Sequence, residues 1–205
     1  MITDIRQLDL EGRYTYADYL TWQFDEMVEL IRGKVFRMSP APGTAHQWVA
    51  GQLHGILFQY LKGQPCTVFS APFDVRLTQV DESVDGAAAI TTVVQPDLCV
   101  VCDLSKLDRR GCQGAPDWVV EILSTSTSQK DLTEKLELYQ NAGVREYWVV
   151  DPHSGTVIDF LPDEAGQYQA RRGRPYVKGE VLAPYIFPDL EIPLADIFPD
   201  ESLLE

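Results

Sequence analysis

The chain has no run of about 18 or more apolar residues, which excludes a membrane-spanning helix by sequence. Its first residues, MITDIRQLDLEGRYTY, lack a basic segment followed by an apolar one, so no secretory leader and a cytoplasmic location are expected. No Walker-type loop occurs, and no GxGxxG follows a candidate strand, so a nucleotide cradle of backbone amides is not expected. Ser124, Ser126 and Ser128 invite the idea of a serine nucleophile. No GxSxG elbow surrounds them, and the chain's three histidines supply no obvious partner. Helix-turn-helix, zinc-finger, repeat and low-complexity patterns are also missing.

Basic side chains are scarce. Seventeen Lys and Arg face 31 Asp and Glu, a net charge of −14. A protein that grips nucleic acid nonspecifically usually shows a basic face. Here the clusters are small: Arg109 and Arg110, then Arg171, Arg172, Arg174 and Lys178, each equally well read as a solvated loop. Cysteines number four, at 66, 99, 102 and 112. Cys99 and Cys102 have CxxC spacing, but in a strand an odd separation sends them to opposite faces. The expectation is four reduced cysteines and no structural zinc.

What is present suits one domain over residues 1–205, with 45% hydrophobic residues. TYADYLTWQF reads as a helix capped by Thr15, and MVELIRGKVFRMS as a hairpin turning at Arg32-Gly33. AHQWVAGQLHGILFQYLKG is an amphipathic helix with Val49, Leu53, Ile56, Leu57, Tyr60 and Leu61 on one face, ended by Gly63. TVFSAPFDVRL is one strand or a bent pair, DESVDGAAAI a loop tip, and VVQPDLCVVCD a strand bent by its proline. SQKDLTEKLELYQNAG is a helix with a Ser128–Asp131 capping box, an apolar stripe of Leu132, Leu136 and Tyr139, and Gly143 as terminator. REYWVVD is a buried strand, DPHSG a turn, residues 156–187 a meander, and IFPDLEIPLADIF an extended segment packed across the body.

The chemistry concentrates in DWVVEIL, residues 117–123, which is apolar enough for a central strand yet contains Glu121. A buried carboxylate needs a positive partner. Asp97 lies in a second such run, VVQPDLCVV, and Lys135 on the helix after Glu121. Magnesium is commonly held by one or two carboxylates with waters and phosphate, and a lysine beside it stabilises charge developing on the phosphate. Plainer readings stand next to this one. Glu121 can pair structurally with Arg145, Lys135 or a backbone nest. Asp97 can start a turn, and Lys135 can be a solvated helix lysine. Accessory candidates are Glu29 before the hairpin turn, His46 at a helix start, and Asp74 on the strand before Asp97.

Four separated segments carry a resemblance: VELIRGKVFRMSPAPGTAHQWVAGQL, VVQPDLCVV, PDWVVEILSTSTSQKDLTEKLELYQNAGVREYWVVDP and FPDLEIPLADIF. Together they resemble the Uma-two family of restriction-endonuclease-like proteins, in the PD-(D/E)xK nuclease superfamily. The resemblance implies an α/β (α+β) fold: a mixed β-sheet flanked by helices in the order α-β-β-β-α-β, residues 46–151, with extra N- and C-terminal β elements. It implies Asp97 and Glu121 as metal-binding acids, the Ile122 carbonyl as a backbone ligand, and Mg2+ as cofactor with Mn2+ able to substitute. The superfamily lysine two residues after the acid is Leu123 here, so the resemblance transfers its role to Lys135. The implied activity is magnesium-dependent hydrolysis of DNA phosphodiesters by a homodimer. The alternatives are an inactive binding or assembly module on the same fold and a hydrolase of a smaller phosphate ester.

Overall fold

The computed structural model describes residues 2–9, 11–38, 43–78, 90–124 and 131–200. Near the N-terminus Thr15 caps one helical turn, α1 (Tyr16–Tyr19). The Thr15 hydroxyl accepts from the Asp18 amide, and the Asp18 carboxylate accepts from the Thr15 amide at 2.8 Å. The expected hairpin follows as β1 (Val28–Ile31) and β2 (Lys34–Arg37). Arg32 and Gly33 both have positive φ, 50° and 81°, the pattern of a tight turn whose twist matches its strands. Helix α2 (Thr44–Leu61) buries Ala45, Val49, Leu53, Leu57 and Leu61, and Gly63 lies just past its end with φ 82°.

TVFSAPFDVRL forms the bent pair, β3 (Thr67–Ser70) and β4 (Val75–Leu77). The loop tip expected at DESVDGAAAI lies outside the described residues, save Ile90. Then come β5 (Thr92–Val94), β6 (Leu98–Val101), the short hairpin β7 (Leu107–Asp108) and β8 (Gly111–Gln113), and β9 (Trp118–Ile122). The capping box expected at Ser128 also lies outside the described residues. A π turn, Asp131–Lys135, leads into α3 (Leu136–Ala142), which ends on left-handed Gly143. Strands β10 (Glu146–Asp151) and β11 (Thr156–Pro162) form a hairpin through DPHSG. The meander continues as β12 (Tyr168–Ala170), β13 (Tyr176–Val177), β14 (Val181–Leu182) and β15 (Ile192–Pro193), and closes on α4 (Leu194–Ile197).

Two large sheets result. One has the order β2-β1-β5-β4-β8-β7. The other has the order β12-β11-β10-β9-β6-β3, with β13 also on β11. In the second, β9 pairs parallel with β10 and antiparallel with β6, so α2-β3-β6-β9-α3-β10 is the expected α-β-β-β-α-β series. One face of this sheet packs Leu98, Val120, Trp148 and Val150 against α2 and the C-terminal residues Leu190, Ile192, Leu194 and Ile197. The other face packs Cys99, Val119, Tyr147 and Val149 against α3 and against Ile31, Val75 and Val94 of the first sheet. Strand β9 is thus covered on both faces, and all five of its residues are buried.

The chain changes sheet twice near one point. Residues 71–74 carry it from β3 to β4, and Gln95-Pro96-Asp97 carry it from β5 to β6. Proline donates no ladder hydrogen bond and suits such a break. The two crossings touch, with the Ala71 amide donating to the Asp97 carbonyl at 3.1 Å.

The cysteine expectation is corrected in part. Cys66 and Cys102 are joined in a disulfide, whereas Cys99 and Cys112 are free and buried. The reason is strand pairing: Thr67 lies opposite Val101, which brings the residues flanking that pair together. Such bonds persist in oxidising surroundings and are uncommon in a reducing cytoplasm. Cys99 and Cys102 do take opposite faces: Cys99 packs in the core against α3 and Cys102 against the core under α2. Among the described residues no helix is long and apolar enough to cross a membrane.

Candidate active site

The acids meet where the sheets diverge. Leu98 lies opposite Val120, so Asp97 follows beside Glu121, one step further along the register. The β6–β9 ladder ends there, and the Ile122 amide donates to Asp97 Oδ2 at 2.7 Å. The other oxygen, Oδ1, is 3.2 Å from His46 Nε2, in the first turn of α2. Asp97 is therefore held from both sides, by a strand amide and by an imidazole.

Glu121 has different partners. Lys135 Nζ donates to its Oε1 at 2.8 Å, and the Tyr139 hydroxyl donates to the same oxygen at 2.6 Å. Lys135 and Tyr139 are four residues apart, hence neighbours on one helix face. Lys135 Nζ also lies 3.2 Å from Glu29 Oε1. Glu29 belongs to β1, in the other sheet, and its Oε1 accepts the Gln95 amide at 3.0 Å. Burial and the Glu121 charge push the Tyr139 hydroxyl well above its ordinary pKa, so it stays a donor.

Exposure is graded across the site. Glu29, Glu121 and Lys135 are only 5%, 4% and 6% exposed. The side chains of Asp97 and His46 are 21% and 12% exposed, so solvent reaches the site from their edge. Removing one member of a buried ion pair typically costs about 3–5 kcal/mol, because its partner is left charged and uncompensated. The Glu29–Lys135–Glu121 group is thus a structural element as well as a chemical one.

The structure joins Glu121, Lys135 and Glu29 in one group and Asp97 with His46 in a second, the two adjoining through the Ile122 amide that binds Asp97. Asp74 stands further off, half-buried, with its Oδ1 accepting from Gln95 Nε2 at 2.8 Å and from the Tyr19 hydroxyl at 3.3 Å. Gln95 links it to Glu29. Of the plainer readings, Glu121 takes Lys135 rather than Arg145, whose Nη1 binds Asp117 at 3.1 Å. Sequence reasoning missed Tyr139 as a polar member, having counted it in an apolar stripe. The available signal was its i+4 spacing from Lys135.

Among the described residues no three His, Cys, Asp or Glu side chains converge to cage a metal ion. Magnesium does not require such a cage. The carboxylates of Asp97 and Glu121 are oxygen donors of the hard type it prefers. Three carboxylates at 29, 97 and 121 against one ammonium at 135 leave two negative charges, before His46 is counted, which is the charge of one divalent cation. The donor set therefore fits the ion.

A mixed sheet flanked by helices in α-β-β-β-α-β order defines the restriction-endonuclease-like class. The chain belongs to the Uma2 family, described as "Putative restriction endonuclease", whose sequence model matches residues 16–195. A solved structure, "a putative nuclease belonging to DUF820 from Anabaena variabilis ATCC 29413", has the same fold. Its TM-score is 0.68 at 20% sequence identity, over 94% of this chain and 99% of that one. Comparison with curated proteins gave no match.

Proposed function

We propose that the protein is a magnesium-dependent endonuclease that hydrolyses DNA phosphodiesters, with Mn2+ able to replace Mg2+. The observation that carries this reading is the convergence of Glu121 with Lys135, 14 residues further along the chain, beside Asp97, which immediately precedes the adjoining strand. Asp97 and Glu121, with the Ile122 carbonyl that the family resemblance assigns, would hold the ion. A bound Mg2+ polarises the scissile phosphate and lowers the pKa of its water.

The chain's own residues do the rest. The Ile122 amide and His46 fix the rotamer of Asp97. Tyr139 fixes that of Glu121. Lys135 presents an ammonium where negative charge grows on the phosphate, and its burial strengthens that interaction. A homodimer would let two such sites address two strands.

A second reading, a non-catalytic module for binding or assembly, draws on the net charge of −14 and on how the basic clusters are spent. Arg172 and Arg174 both bind Glu180, at 3.1 and 2.7 Å, and Arg171 binds Asp159 at 3.2 Å. A hydrolase of a smaller phosphate ester would differ in needing no DNA and showing little salt dependence.

Supercoiled plasmid decides among them. Wild type with Mn2+ or Mg2+ is expected to nick or linearise it, with loss of cleavage in chelator, in Glu121→Gln and in Lys135→Met. Cleavage that survives in Glu121→Gln would refute this site. No cleavage of any DNA form, and no stabilisation by metal, would favour the assembly module.

A further inference from the structure

Glu29 is not one of the acids that the family resemblance assigns to the ion, yet it touches both halves of the site. One oxygen, Oε1, accepts the Gln95 amide at 3.0 Å and lies 3.2 Å from Lys135 Nζ. Gln95 opens the crossing that delivers Asp97, and Lys135 comes from the turn before α3. Glu29 itself sits on a different sheet from Glu121. We propose that Glu29 is a positioning residue, the standing counter-ion of Lys135, which keeps the ammonium in place when Glu121 engages a divalent cation. This rests on the metal-dependent reading above.

Lys135 is closer to Glu121, 2.8 Å against 3.2 Å for Glu29. An ammonium and a divalent cation therefore compete for the same carboxylate. A lysine 6% exposed cannot turn to water when that competition goes against it. Glu29, fixed by a backbone amide and 5% exposed, offers an anion that does not have to leave. Without the Glu29 charge, Lys135 would be drawn onto Glu121 and resist the ion.

The test is Mn2+ titration by calorimetry, with thermal unfolding in parallel, on wild type, Glu29→Gln, Glu29→Asp, the double variant Glu29→Gln/Lys135→Met, and Glu121→Gln. Glutamine keeps an acceptor for the Gln95 amide, and the thermal unfolding run in parallel reads what the lost charge costs in stability. It should weaken Mn2+ binding roughly 10–100-fold, the range usual for residues that orient ligands. The double variant restores the site's net charge and removes the competitor, so its affinity should return close to that of wild type. Glu29→Asp keeps the charge but not the reach. It should bind Mn2+ like wild type and lose kcat at saturating metal with little change in KM.

Wild-type affinity in Glu29→Gln would overturn the proposal. So would a double variant as weak as Glu29→Gln, since Glu29 would then be a metal ligand itself. Wild type that takes up no Mn2+ and matches Glu121→Gln would remove the metal reading as a whole. That outcome is distinct from the other two.

Discussion

At the scale of single residues, two buried acids outside the candidate site carry their own consequence. Glu146 is fully buried at the start of β10. It accepts from Trp148 Nε1 at 2.8 Å and from the amides of Tyr185 and Ile186 at 2.9 and 3.0 Å. Asp159 faces it from β11, with one oxygen 3.2 Å from Arg171 and the other buried without a partner among the described residues. Burial, then the Asp159 charge, pushes the Glu146 carboxyl up to about 7, against the opposing pull of its three donors. Burial likewise pushes Asp159 up to about 6. A carboxyl whose folded pKa exceeds its unfolded value contributes stability below the unfolded value, near 4.5, and loses it as pH rises through the folded one. Stability should therefore fall between pH 5 and pH 8, by about 1–3 kcal/mol for this coupled pair. Glu146→Gln should flatten that fall. Urea unfolding at the two pH values measures it, and an equal slope in the variant would refute the assignment. Any constant loss from altered hydrogen bonding cancels in the comparison.

At the scale of elements, the site depends on the two crossings between sheets, and one glycine packs against the end of the first. Gly111 has φ 125°, and a Cβ there would stand 2.1 Å from the Asp74 carbonyl oxygen. That oxygen accepts the Cys112 amide at 2.9 Å, at the start of the parallel β4–β8 pairing. Any side chain must push backbone away while adopting a conformation that L residues avoid. Gly111→Ala should cost about 2–4 kcal/mol of stability, from strain and overpacking together. The loss is read from the urea midpoint, and an unchanged midpoint would show that the crossing yields easily. Elements of this kind were only half legible in the sequence. Alternation and capping give the hairpin at Arg32-Gly33, α2, and the β9-helix-β10 unit, because each rests on local periodicity. Pro96 signals a break before Asp97 but not that β5 and β6 join different sheets. That outcome depends on long-range pairing of Val93 with Leu30 and of Cys99 with Phe69. The Cys66–Cys102 bond escaped for the same reason. The site followed the same rule. Glu121 stood out as a charge in an apolar strand, whereas the Glu29–Lys135 contact joins residues more than a hundred positions apart and leaves no local trace.

At the scale of the whole molecule, the charge sets how a polyanion can be met. The net −14 repels DNA at long range, and much of the basic complement is engaged locally. Arg76 binds Asp108 at 2.8 Å, Arg32 binds Glu137 at 3.3 Å, and Glu180 takes both Arg172 and Arg174. Nonspecific affinity comes from neutralising phosphates with free cations, and its salt slope counts them. Few phosphates can be neutralised by side chains, so on the metal-dependent reading proposed above a divalent ion held by Asp97 and Glu121 would supply a large share of the attraction. Retention of a short duplex at about 50 mM salt should therefore be weak in chelator and rise with Ca2+, an oxygen-seeking ion used here as a probe of binding. The salt slope should correspond to roughly one to three phosphates rather than the six to ten of a strongly basic binder. The gain with Ca2+ should vanish in Glu121→Gln. Tight retention in chelator with a steep slope would mean that a basic surface, and not the acid pair, captures the nucleic acid.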